Sequence, residues 1–169
     1  MSSLLPLAGR ARRLGDDVNT DYIISSRRKR ETIDPAQLRH YLLEDVDAGF
    51  AASVRTGDVI VAGSNFGCGS AMEVAVTVVL GAGIRAVVAK SFSRTYLRNA
   101  LNNGLLAIVA DTDGIREADA IELTGNADGS FELHTGGRTI VCEPLPPFMQ
   151  SMLEAGGLVP FLRQHGSFA

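Results

Sequence analysis

A serine preceded by two glycines, in Gly67-Cys68-Gly69-Ser70, stands between an apolar run that reads as a strand, Asp58 to Gly63, and an apolar stretch of helical length, Ala71 to Gly81. Glycines let a ligand come close to the backbone in a strand–turn–helix connection, and the first N–H groups of a helix have no partner within it. Together with the positive end of the helix dipole they make such a turn an anion site, with the Ser70 hydroxyl aimed at whatever approaches. The same residues also suit a plain tight turn in which Ser70 is the helix N-cap. A second polar segment, Asp17-Val-Asn-Thr-Asp21, precedes the apolar Tyr22-Ile-Ile24, and on its own Asp21 reads as an Asx-turn or cap. Arg27-Arg28-Lys29-Arg30 places four cations in a row, which suits a solvated surface or a pocket for an anionic ligand. His40, His134 and His165 fall in no metal-ligand spacing.

The elements that must position these residues alternate. A strand is expected near Gly9 to Leu14, then the polar loop from Gly15 to Asp21. Asp34-Pro35 supplies an N-cap and N1 proline for a helix through about Leu43, with Leu38, Tyr41 and Leu42 on one face. After the glycine loop come a strand from Ala86 to Lys90, a helix from Ser93 to Asn102 closed by Gly104, and a strand from Leu105 to Val109. This β-α-β-α-β order predicts parallel strands with crossover helices. Ala120 to Thr124, Phe131 to Thr135 and Thr139 to Glu143 alternate between Gly-rich turns, as antiparallel strands do. Two helical pieces, Pro147 to Ala155 and Leu158 to Gln164, follow. The fold class is α/β with an antiparallel section, in one domain over residues 1–169.

Composition excludes several classes of function. With 46% hydrophobic and 21% charged residues the chain reads as a globular protein, and a net charge of −3 gives no electrostatic case for nucleic-acid binding. No run reaches the roughly 18 apolar residues that span a bilayer. The N-terminus lacks the charged n-region and long h-region of a signal peptide, so the chain reads as cytoplasmic. Cys68 and Cys142 are too few for a disulfide framework, and Cys142 reads as a small core residue.

Five segments carry a resemblance. Asp17-Val-Asn-Thr-Asp21-Tyr-Ile-Ile24, Asn65-Phe-Gly-Cys-Gly-Ser70, Lys90-Ser-Phe-Ser-Arg94, Arg98-Asn99-Ala100 with Asn103-Gly104, and Pro144-Leu-Pro-Pro-Phe148 with Glu154-Ala-Gly-Gly-Leu158 occur in this order over nearly the whole chain. In them the sequence resembles the small subunits of 3-isopropylmalate dehydratase, in the aconitase superfamily. The resemblance implies a swivelling β/β/α domain and a large-subunit partner that holds a [4Fe–4S] cluster, with the active site between the two. Two cysteines agree with that division, since such a cluster takes three or four thiolates.

The implied chemistry removes a proton from the carbon beside a carboxylate while an open iron site takes the hydroxyl, and water then returns. By the same resemblance Ser70 is the base, as an alkoxide, and Asp21 faces the cluster. Arg27 holds a substrate carboxylate, with Gly67, Cys68 and Gly69 lining the loop and Arg28 and Lys29 as further candidate substrate contacts. This chain departs from the family where G-S-S-R-E-H-A is usual and Gly69-Ser70-Ala71-Met72-Glu73-Val74-Ala75 stands instead. A methionine cannot form the arginine's bidentate clamp on a carboxylate. Three readings follow: a hydro-lyase subunit acting on another malate-type di- or tricarboxylic hydroxy acid, an isopropylmalate isomerase subunit of leucine biosynthesis with an atypical clamp, or a non-catalytic binding or assembly module of the same fold.

Overall fold

Val59-Ile-Val-Ala62 and Ala86-Val-Val-Ala89 are apolar at every position, a pattern that is stable in a sheet covered on both faces. The computed structural model describes residues 4–166 and meets that demand. Strand β1 (Leu7–Arg13) leads through the short helices α1 (Thr20–Ile23), α2 (Ser26–Glu31) and α3 (Pro35–Leu38), a 3₁₀ turn (Arg39–Tyr41) and α4 (Phe50–Ser53) to β2 (Val59–Ala62). Then come α5 (Val74–Gly81), β3 (Ala86–Ala89), α6 (Arg94–Asn102) and β4 (Leu106–Val109). The strands β5 (Ala120–Gly125), β6 (Phe131–Thr135) and β7 (Arg138–Cys142) precede α7 (Pro147–Glu154) and α8 (Leu158–His165).

The strands form one sheet in the order β4-β3-β2-β1-β5-β6-β7. Strands β1 to β4 run parallel, and β5, β6 and β7 add to β1 as antiparallel neighbours. The parallel core and the antiparallel section are therefore as the sequence predicts. Alternate residues of the buried strands serve opposite layers. Ile60, Ala62, Val87 and Ala89 pack with Ile23, Leu38, Phe50 and Val76 of the N-terminal helices. Val59, Val61 and Val88 pack with Leu123, Phe131, Met152, Leu153 and Phe161.

The differences concern short helices and helix starts. Residues 15–21 read as a polar loop and 27–30 as a basic run with no element assigned, yet Asn19 accepts from the Asp21 N–H to cap α1 and Ser25 accepts from the Arg28 N–H to cap α2. A single turn is too short to show a helical period, so only its cap could have marked it. The helix expected over 35–43 ends at Leu38 and tightens into the 3₁₀ turn, after which Leu43 takes a positive φ of 57°. The helix expected from Ala71 starts at Val74, and no side chain caps it. The Thr20 hydroxyl donates to the Ser70 carbonyl at 3.1 Å, which draws that carbonyl out of a helical ladder. Ser70 is consequently not an N-cap. The reading of the N-terminus as free of a signal begins in residues 1–3, which lie outside the described ones. Among the described residues no helix is long and apolar enough to cross a membrane.

Candidate functional site

Two loops leave the C-terminal ends of the neighbouring strands β1 and β2, and backbone hydrogen bonds zip them together. The Asp17 N–H donates to Ser64 O, the Gly67 N–H to Val18 O, and the Thr20 N–H to Cys68 O, each at 2.8 Å. A fully buried aromatic pins the second loop from below. Phe66 meets the rings of Tyr96 and Phe92 edge-on at centroid distances of 5.1 and 5.9 Å. Burial pushes the Tyr96 phenol up, and its neutral hydroxyl donates to Ala75 O. Gly67 and Gly69 are needed here: both have positive φ, and a Cβ would strike the Tyr96 ring at Gly67 and the Asn19 side chain at Gly69.

On this pinned base Ser70 stands exposed at the crest, and its hydroxyl makes no hydrogen bond among the described residues. The N–H groups of Gly69, Ser70 and Ala71 donate to no carbonyl among the described residues either. Such a run of free N–H groups stabilises negative charge. The electropositive element is thus the loop backbone and not the N-terminus of α5, which begins beyond Met72 and Glu73.

Facing the crest, α1 and α2 carry the charges. Asp21 Oδ1 accepts from Ser26 Oγ at 2.8 Å and from Lys29 Nζ at 3.1 Å. The Ser26 hydroxyl, and after it the Lys29 ammonium, hold the Asp21 carboxyl below the usual range. The Lys29 ammonium also donates to Met72 Sδ at 2.7 Å, joining α2 to the loop. The Lys29–Met72 contact thus brings Asp21 and Lys29 up to the loop of Gly67, Cys68, Gly69 and Ser70. Arg27, with its side chain 67% exposed, turns outward and pairs with Glu44 at 3.6 Å.

Arg28 is engaged within the chain. Its Nε and Nη2 donate to the two Glu44 carboxylate oxygens at 2.8 and 3.0 Å, and its guanidinium lies 3.8 Å from the centre of the Tyr41 ring. Arg28 holds Glu44 below the usual carboxylate range against the effect of burial. Glu44 takes one edge of the guanidinium fork, so Arg28 braces α2 against the Leu43–Asp47 turn. Thr20, Ser26 and Glu44 escaped the sequence reading, and the one local signal near them is the capping serine Ser25, which precedes Ser26 and the basic run.

The cysteines lie apart in role. Cys68 is half-buried in the crest loop, whereas Cys142 is buried on β7, where burial and then Glu132 push its thiol up to about 11. Among the described residues no three His, Cys, Asp or Glu side chains gather as a metal-ligand set. The donors of this chain do not fit an iron–sulfur cluster.

Comparisons with known proteins converge. The model of the aconitase C-terminal domain family matches residues 26–113. The 3-isopropylmalate dehydratase small subunit of Oleidesulfovibrio alaskensis is 44% identical over 158 residues, covering 92% of this chain and 93% of that protein. The methanogen homoaconitase small subunit of Methanocaldococcus jannaschii is 43% identical over 158 residues, covering 94% and 92%. The crystal structure of 3-isopropylmalate dehydratase (LeuD) from Methanocaldococcus jannaschii superposes with a TM-score of 0.89 at 43% identity, covering 96% of each chain.

Proposed function

Since the chain belongs to the aconitase C-terminal domain family, alongside the small subunits of 3-isopropylmalate dehydratase and homoaconitase, we propose that it is the small subunit of a heteromeric hydro-lyase. The complex dehydrates and rehydrates a malate-type di- or tricarboxylic hydroxy acid. Its partner is a large subunit that carries a [4Fe–4S] cluster, whose open iron site supplies the Lewis acid for the departing hydroxyl.

Ser70 is the base that takes the proton from the carbon beside a carboxylate. A free serine hydroxyl is a poor base, and the free N–H groups of the crest loop favour its alkoxide form. The Lys29 ammonium, held at Met72, adds positive charge on the same side. Asp21 keeps its charge through Ser26 and Lys29 and orients the reacting hydroxyl side. Arg27 is the outward cation that receives a substrate carboxylate as the large subunit closes over the cleft. Gly67, Cys68 and Gly69 bring backbone against the substrate with no side chain larger than a thiol.

One observation carries this reading. The Ser70 hydroxyl raised on the pinned crest has no hydrogen-bond partner among the described residues, although the loop beneath it is bonded to its neighbour at three points. A polar substrate is favoured over 2-isopropylmalate because the Lys29 ammonium stands between Asp21 and Met72, where an isopropyl group would need an apolar lining. The test is anaerobic co-expression with the cognate large subunit and a dehydration assay over malate-type acids. Turnover of a carboxylate- or hydroxyl-bearing acid above that of 2-isopropylmalate is expected. A complex that hydrates none of them sinks the reading.

A further inference from the structure

Ser70-Ala71-Met72-Glu73 spells a capping box, a serine followed three residues later by a glutamate at the start of an apolar run. In that motif the serine oxygen accepts from the glutamate N–H, and the glutamate carboxylate accepts from the serine N–H. Among the described residues neither bond is made. Ser70 and Glu73 are both exposed, and the Ser70 hydroxyl and N–H and the Glu73 carboxylate and N–H have no partner there. Helix α5 opens lower down, with Met72 O accepting from the Ala75 N–H at 3.2 Å and Glu73 O from the Val76 N–H at 2.9 Å. A helix capped by Ser70 would first use the Ser70 carbonyl, which would accept from the Val74 N–H. That carbonyl is taken by the Thr20 hydroxyl at 3.1 Å. Thr20 is 1% exposed and its own N–H is tied to Cys68 O at 2.8 Å, so the hydroxyl reaches the crest from a fixed base. Asn19 beside it fills the space next to Gly69 where a Cβ would stand.

Resting on the functional reading above, we infer that Thr20 is a positioning residue for Ser70. Its hydroxyl holds the Ser70 carbonyl outside the α5 ladder and so keeps the serine out of a latent capping box. Capture in that box would oppose the role of base twice. The Ser70 oxygen would turn back onto the Glu73 N–H, away from substrate, and the Glu73 carboxylate would occupy the Ser70 N–H and repel an alkoxide. The local sequence favours the box, and one hydroxyl fifty positions earlier decides against it.

The test joins amide hydrogen exchange of the full chain to turnover in the complex with the large subunit. It uses the parent, Thr20→Val, Thr20→Ser, Glu73→Ala and the pair Thr20→Val with Glu73→Ala. In the parent the Glu73 and Val74 amides should exchange as unprotected groups, and Thr20→Val should slow both by about tenfold or more as α5 extends to Ser70. The same variant should lose about tenfold or more in kcat, toward the 10²–10⁴ expected for removal of a base. Thr20→Ser keeps the hydroxyl and should stay within about threefold of the parent, as should Glu73→Ala. Breaking the box in the pair should raise kcat at least about threefold above that of Thr20→Val, a recovery that a merely structural threonine would not give. Glu73 and Val74 amides that are protected in the parent would overturn the inference, and this measurement needs no variant to fold. Amides left unprotected in Thr20→Val would overturn it too, as would a pair no faster than Thr20→Val. A parent complex that hydrates no hydroxy acid, with the exchange shift present, refutes the functional reading alone. Turnover without that shift refutes this inference alone.

Discussion

Two aspartates sit at opposite ends of the β1–β2 pair, and their surroundings differ in one respect that separates support from chemistry. Asp58, just before β2, is 2% exposed and accepts from Arg10 Nε at 3.0 Å, Arg10 Nη2 at 2.7 Å, Arg12 Nη1 at 3.4 Å and the Arg55 N–H at 2.9 Å. Arg12 is completed by Ser53, Glu117 and the Phe50 ring. Both guanidinium groups share the Asp58 carboxylate there, and the cluster is closed. Asp21, beyond the other end, is half exposed, its two side-chain donors share one oxygen, and one of them leans on a sulfur. A closed charge cluster fixes strands, whereas an open one keeps capacity for a ligand.

The comparison breaks most visibly at the closed end. Asp58→Ala leaves Arg10 and Arg12 without their shared acceptor and should lower unfolding free energy by about 3–5 kcal/mol, as for a buried pair that loses one partner. Denaturant unfolding measures it, and turnover per folded complex should be unchanged. Acid sharpens the same point. Burial pushes the Asp58 carboxyl up, but the Arg10 hydrogen bond, the Arg55 N–H and the nearby charges outweigh it and leave the carboxyl below its usual range. A depressed folded pKa stabilises fully above the unfolded value and is lost as pH falls through the folded one. Parent stability should therefore decline below about pH 4, and Asp58→Asn should lack this part of the decline.

Gly67→Ala forces a positive φ on a residue with a Cβ and drives that carbon into the Tyr96 ring, for about 1–3 kcal/mol of destabilisation by strain alone. The crest should shift with it, so activity should fall even where the protein remains folded. At the open end Asp21→Asn should change stability by less than about 1 kcal/mol, because a half-exposed ion pair contributes little. Its effect should appear in kcat/KM, as a loss of about tenfold or more, equal to roughly 1.4 kcal/mol of transition-state stabilisation. A variant with unchanged kcat/KM but a large melting shift would place Asp21 with Asp58 as a structural residue.

Much of the framework was legible because it rests on local patterns. The all-apolar quartets Val59 to Ala62 and Ala86 to Ala89 mark two-faced burial, and the alternation from Phe131 to Thr135 marks a strand with one face covered. The cap at Asp34 acts where the sequence places it, and Ser93, read as the first residue of its helix, is that helix's N-cap. Helices α1, α2 and α4 were not legible, since four to six residues hold too little periodicity. The late start of α5 depends on a hydrogen bond from Thr20, fifty positions before Ser70. The pairs that give the basic run two different settings, Arg28 with Glu44 and Lys29 with Met72, exist only after the chain has folded.

We propose that the exposed Ser70 hydroxyl is the base and that the closed end of the sheet has no part in the chemistry. Ser70→Ala, purified anaerobically in the complex with the large subunit, tests it most directly when turnover of the best hydroxy acid and the melting temperature are measured together. Loss of about 10²–10⁴ in kcat with assembly and melting unchanged is the expected result for a positioned acid–base group. A loss under about tenfold, well short of that range, would contradict the account and leave Ser70 as a residue of the turn.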